Sequence, residues 1–157
     1  MQTNRLSDLW AFFQPGRTVY VPGASGEALA LAQVLQADPG RASGVTFLSC
    51  LVPGINEAVD YAGLGINASA TTFMLPACMR ASFGRGRVSL IPRTYWGIAQ
   101  YFRSIQTDVA IAHVTPPDAA GRCSLGIASD FTTLIWPQAK VRVLIINPAM
   151  PRLPRAL

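Results

Sequence analysis

An open α/β sheet, mostly parallel and with helices on both faces, is the fold the sequence predicts. Three observations predict it. Five apolar, β-branched runs do not alternate apolar with polar residues, which is how strands buried on both faces read. Each run ends in proline, which donates nothing to a sheet ladder and so marks the exit from it. Helical stripes fall between the runs, and this alternation is the pattern of right-handed crossovers.

Taken in order, Leu6, Leu9, Trp10 and Phe13 form the first helical stripe, behind Ser7 as cap and stopped by Pro15-Gly16. TVYVPG (18–23) is the first strand. Ala28, Leu31, Val34 and Leu35 then share a helix face behind Ser25, and VTFLSCLVPG (45–54) is the second strand. Residues 53–86 show the weakest pattern. A structureless loop of that length is unusual in a small domain, so a short strand is expected near Thr71–Met74 and a helix from Pro76. RVSLIP (87–92) is a strand, followed by the stripe Ile98, Tyr101, Phe102 and Ile105 behind Thr94. DVAIAHVTPP (108–117) is the next strand, Phe131, Leu134 and Ile135 make a short stripe after Ser129, and VRVLIINP (141–148) closes the sheet.

The 157 residues have room for one domain and one sizeable core. Half of them are hydrophobic and only 13% are charged, against about 25% in an average domain. So much apolar residue is hard to hide in a small domain. Part of the surface is therefore expected to be covered by another domain or subunit, and a homo-oligomer is expected. No apolar run approaches the roughly 20 residues that cross a bilayer, so no membrane partner is expected. The first residues, MQTNRLSDLWAFF, lack the features of a signal peptide. Cys50, Cys78 and Cys123 show neither a disulfide framework nor metal spacing, which fits buried thiols in a reducing cytoplasm. With a single histidine beside them, no metal is expected. The net charge of +5 comes from twelve arginines and one lysine against eight acids. The arginines are scattered and no nucleic-acid motif is present, so a phosphate-bearing cofactor is a better partner for this charge than nucleic acid.

In open α/β sheets ligands sit beyond the carboxyl ends of the strands. Here those ends read PGAS, PGIN, PRT, TPPD and NPAM, and residues 112–131 make the longest of the exits. In GASGE, Ser25 would cap a helix and offer an anion site. Neither GxxxxGK[ST] nor GxGxxG is present. A nucleophilic Ser25 would need GxSxG, and its one available base, His113, lies inside an apolar strand run where a core or rim role is commoner. Glu27 suits the first turn of a helix. Glu57 and Asp60 share a loop, where solvation explains them better than acid–base pairing. Trp96 falls opposite the Ile98/Phe102 stripe, consistent with a covered interface.

The series VPGASGE, VPGIN with DY, ATTFMLPACMRASFGRGRVSLIP, DVAIAHVTPPDAAGRCSLGIASDF and INPAMPRL resembles the N-terminal half of the acetyl-CoA hydrolase/transferase family, the class I CoA-transferases. Its members include 4-hydroxybutyrate, succinate and acetate CoA-transferases. PPD-x-x-G-x-CSLG-x-x-SDF is the most specific part, and the resemblance covers nearly the whole chain. It implies a fold like that of the sugar-phosphate isomerases, with coenzyme A or acyl-CoA as substrate and no metal. In the family a glutamate attacks the acyl-CoA thioester, and the resulting glutamyl–CoA thioester is opened by a carboxylate or by water. That glutamate belongs to the C-terminal half, which is expected to be absent here, so residues 1–157 form a single domain without a catalytic residue. The missing half or a complementary subunit becomes the expected partner. What the resemblance carries over is the wall of the cleft: Gly23, Ser25, Gly54, Asn56, Phe73, Met74, Pro117, Ser124 and Gly126. A non-catalytic module binding coenzyme A or a sugar phosphate is the alternative.

Overall fold

The computed structural model describes residues 5–153. Six strands, β1 (Thr18–Tyr20), β2 (Thr46–Leu48), β3 (Ser69–Thr72), β4 (Val88–Leu90), β5 (Thr107–Val114) and β6 (Ala139–Ile146), form one sheet in the order β4-β3-β2-β1-β5-β6. Every pairing is parallel, and the sheet does not close. Four α-helices accompany it: α1 (Leu29–Ala37), α2 (Arg80–Gly84), α3 (Tyr95–Ser104) and α4 (Thr132–Ile135). The predicted fold class holds.

Strand order dictates which face each helix covers. Right-handed connections stepping outward from β1 to β4 lie on one face, whereas the return to β5 and the step to β6 put α3 and α4 on the other. The buried residues agree. Val19, Phe47, Val109 and Ile111 pack with Phe13, Leu31, Leu35, Tyr61 and Met79 on the first face. Tyr20, Leu48 and Ala110 pack with Ile98, Phe102, Phe131 and Ile135 on the second. Successive residues of β5 thus enter opposite cores, which is why its sequence shows no alternation. At the amino-terminal edge of the sheet, Asp108 ties three strands together. Its carboxylate accepts from the Thr18 amide at 2.9 Å and from Lys140 at 2.8 Å.

Several boundaries differ from expectation, each for a local reason. The stripe at Leu6–Phe13 is a 3-10 helix over Leu6–Ala11, with Arg5 at its N-cap, so Ser7 lies within the turn rather than before it. Its buried anchors are Leu9 and Phe13. Ser25 caps no helix: it sits in a 3-10 turn, Ala24–Gly26, and α1 starts at Leu29 behind Ala28, which has no capping side chain. Ser129 likewise lies ahead of α4, whose N-cap is Phe131. Thr94 does cap α3, its hydroxyl accepting from the Gly97 amide at 3.2 Å. The predicted short strand is β3, shifted to Ser69–Thr72, and the helix after Pro76 is a 3-10 turn, Ala77–Met79, running into α2. β2 ends at Leu48; the apolar residues beyond it, Cys50 and Leu51, are buried exit-loop residues.

Candidate functional site: the strand-exit rim

In a sheet of this order the connections reverse direction between β1 and β5, and the crevice beyond their carboxyl ends is the natural place for a ligand. Two loops flank it, residues 21–28 after β1 and residues 115–131 after β5. The β2 exit is fastened to the first of them. Gly23 is buried against it so closely that a Cβ there would stand 2.0 Å from the Cys50 carbonyl oxygen. Asn56, only 1% exposed, completes the fastening. Its side-chain carbonyl accepts from the Val52 amide at 2.8 Å, and its amide donates to the Ala24 carbonyl at 2.9 Å and to Glu27 Oε2 at 3.0 Å. Asn56 therefore spends its hydrogen bonds inside the chain and holds two exit loops in register. Ser25, next to this lock, is exposed.

A groove of about 910 Å³ opens at the crevice, lined by Leu9, Phe12, Glu27, Leu29, His113, Pro117, Cys123 and the end of β6 among others. Its walls are mostly apolar, yet Glu27 Oε1 and His113 Nδ1 lie buried without a partner in the wall. Burial pushes His113 below the usual histidine range and outweighs the Gly26 backbone contact, which favours the charged ring. A second cavity of about 950 Å³ lies on the far side of Cys123, lined by Asp118, Arg122, Ser124, Leu125, Gly126, Arg152 and Leu153. Gly126, at φ +67°, brings its loop against Met150, whose Sδ would be 2.6 Å from an added Cβ. No side chain fits there, so the β5 and β6 exits are also packed on one another.

The structure brings Pro117, Ser124 and Gly126 to these cavities and places Gly23 and Asn56 beneath them as fastenings. It does not bring Phe73 to a cavity wall. Phe73 is buried in the second core, edge-on to Tyr101 and Phe102 at 5.3 Å, and the half-buried Met74 packs beside that core. Gly54 is exposed at φ +81°, where it forms the tip of the β2 exit turn. Glu57 lies at the surface, as expected, but is also held by the backbone. Its carboxylate accepts from the Gly54, Ala77 and Cys78 amides at 2.9–3.1 Å, and these bonds hold it down to about 2. Asp60 accepts from the Gly63 amide and from Ser82 Oγ. Neither acid is placed to act as an acid–base partner of the other.

Sequence reasoning passed over Asp130. It adopts a left-handed backbone at φ +37°, which aspartate tolerates better than most residues. Oδ1 accepts from the Tyr95 hydroxyl at 3.2 Å, while Oδ2 is buried without a partner. Burial pushes its carboxyl above the usual range. The same burial raises the nearby Cys50 thiol to about 12, with the Asp130 charge adding to the effect, so that thiol is not a ready nucleophile. The SDF signature held this information only in hindsight, since nothing in the sequence shows that Asp130 meets Tyr95.

Large apolar side chains are left at the same edge. Leu29, Ile55, Tyr95, Trp96, Ile127 and Ile146 each follow or end a strand's carboxyl terminus and are 48% to 68% exposed. The groups of histidine, cysteine and acid needed to hold a metal ion do not occur among the described residues. Nor is any helix among them long and apolar enough to cross a membrane.

Fold and rim together define an open, parallel α/β domain with a groove at its strand exits. No family model matches the sequence. 4-Hydroxybutyrate coenzyme A transferase of Clostridium kluyveri is 25% identical over 131 residues, which are 82% of this chain and 30% of that protein. The fold matches RipA from Yersinia pestis with a TM-score of 0.77 at 20% identity, over 96% of this chain and 37% of RipA. It also matches a 4-hydroxybutyrate CoA-transferase from Porphyromonas gingivalis, with a TM-score of 0.66 at 20% identity, over 96% of this chain and 34% of that one. The chain thus spans about a third of the length of these relatives. The chain resembles the N-terminal portion of the CoA-transferase family, as its motifs indicate.

Proposed function

We propose that this chain is the N-terminal domain of an acyl-CoA:carboxylate CoA-transferase or acetyl-CoA hydrolase, and that it supplies one wall of the cleft without supplying the nucleophile. The observation that carries this reading is the strand-exit edge. It is pinned by Gly23 and Asn56, open at the β1/β5 crevice, and flanked by large apolar side chains that water does not favour. Such an edge suits a second domain or subunit closing over it, in the same polypeptide or in another one. Coenzyme A, as in the names of the relatives, is the substrate the reading assigns. Pro117 would shape the acyl side of the cleft, with Gly23, Ser25, Gly54, Asn56, Phe73, Met74, Ser124 and Gly126 supporting it from the neighbouring exits and core. The reading places the working protein in the cytoplasm.

Glu57 is not available as nucleophile, because it is committed to three backbone amides. Glu27, which bonds Asn56 through one oxygen only, does not match the catalytic motif of the family the chain resembles. The purified chain alone is therefore expected to exchange no label between acetyl-CoA and succinate or acetate. The native assembly captured with it from its own host is expected to exchange label. Exchange by the isolated chain at ordinary enzyme rates contradicts the reading, and so does an assembly that shows none.

A further inference from the structure

The turn after β5 and the segment after β6 bring two arginines together, Arg122 and Arg152, and the cleft reading above gives neither of them a role. Asp118 organises them. One of its oxygens accepts from the Ala120 and Arg122 amides at 2.9 Å, closing the turn, and the other accepts from Arg122 Nε at 3.1 Å. Arg152, arriving from the segment after β6, donates Nη2 to the Pro116 carbonyl and, at 3.2 Å, to the Arg122 carbonyl. Its Nη1 lies 3.8 Å from the same Asp118 carboxylate. One acid thus orients two guanidinium groups. The backbone amides that bond Asp118 hold its carboxyl low, so the anchor stays ionised.

Only part of this donor capacity is used. The two terminal amino groups of Arg122 take no partner among the described residues, and the Arg122 side chain is 55% exposed. Ser124 Oγ accepts from the Gly126 amide at 3.1 Å, leaving its hydroxyl hydrogen free to donate. Both residues line the cavity of about 950 Å³, as Arg152 does. Two cations against one acid, with an open guanidinium fork and a hydroxyl, match the oxygens of a phosphate. The adjoining groove also carries arginines, Arg5 and Arg142. Arg142, however, is taken up by the Trp136 and Pro137 carbonyls, and the groove holds the buried, unpartnered Glu27 Oε1.

We propose that the Arg122–Arg152 cavity binds a phosphate group, supplied by the nucleotide end of coenzyme A. The choice of source rests on the CoA reading given above, whereas the preference for phosphate rests on the cavity itself. Cys123 lines both cavities, so the groove adjoins the proposed phosphate site and lies within reach of the uncharged arm of a cofactor held there.

Calorimetry on the full chain at low ionic strength, with adenosine 3′,5′-bisphosphate, inorganic phosphate and pantetheine as probes, tests this. The bisphosphate is expected to bind more tightly than inorganic phosphate and to weaken as salt is added. Arg122→Gln should weaken it about tenfold, with Arg122→Lys recovering part of the loss. Pantetheine binding should not change in either variant. The thermal midpoint should stay close to the parent's, because the exposed Arg122–Asp118 pair adds little stability. No binding of the bisphosphate, or equal binding by the parent and Arg122→Gln, overturns the proposal. Inorganic phosphate binding as tightly as the bisphosphate overturns the assignment to a nucleotide. Coenzyme A that binds equally to the parent and Arg122→Gln ends this inference and leaves the transferase reading standing. Arg122-dependent bisphosphate binding, alongside a native assembly that exchanges no label, does the reverse.

Discussion

At the scale of single residues, the rim is held by polar side chains working for the backbone. Asn56 satisfies the half-buried Val52 amide and ties it to the Ala24 carbonyl, and removing it breaks both bonds. Asn56→Ala is therefore expected to cost about 2–3 kcal/mol, read as a lower urea midpoint with an unchanged slope. Glu57 gives a pH signature. Its folded value of about 2 lies below the ordinary 4.5, first because of the Gly54 amide and then those of Cys78 and Ala77. A depressed carboxyl stabilises the fold above its unfolded value and loses that contribution as pH falls through the folded one. The urea midpoint should accordingly drop between about pH 4.5 and pH 2, and Glu57→Gln should flatten that part of the curve. An unchanged pH profile in the variant would remove Glu57 from the account. Neither residue's role was readable beforehand, since an asparagine and a glutamate in a loop look the same whether they meet water or amides.

At the scale of elements, strands were more legible than helix starts. β5 stands out because both of its faces meet side chains and favour branched apolar residues. β6, read as covered on both faces, is instead an edge strand whose alternate residues, Lys140, Arg142, Leu144 and Ile146, are exposed. β3 was placed near its true position only by the need to break a long gap, since SATT carries little hydrophobic pattern. The second strand was read too long because Cys50 and Leu51 are buried outside any ladder, and burial alone does not tell a strand from a packed exit. Caps divide in the same way. Thr94 meets the Gly97 amide, but Ser25 falls in a 3-10 turn that separates it from α1. Thr94→Ala should therefore cost about 1 kcal/mol by thermal or urea unfolding, and Ser25→Ala close to nothing. Equal losses in the two variants would show that α3 does not depend on its cap.

At the scale of the whole molecule, strand order places the candidate site. Counting runs in the sequence predicts a parallel sheet, but it does not say that β5 lies beside β1, and that neighbour creates the crevice. The apolar excess in the composition did foresee uncovered surface, and the structure shows where much of it is: Leu29, Ile55, Tyr95, Trp96, Ile127 and Ile146, at the carboxyl edge. Pairing of distant residues, such as Asp118 with Arg152 and Asp130 with Tyr95, was invisible because it depends on that order. The central claim is that this edge is half of a cleft. Hydrogen–deuterium exchange on the chain alone and in its native assembly tests it most directly. The account predicts that added protection concentrates in residues 21–28, 53–56 and 115–131, slowing exchange there by about tenfold or more. Protection confined to the opposite edge, around Ile66 and Phe83, or no added protection at all, would contradict it.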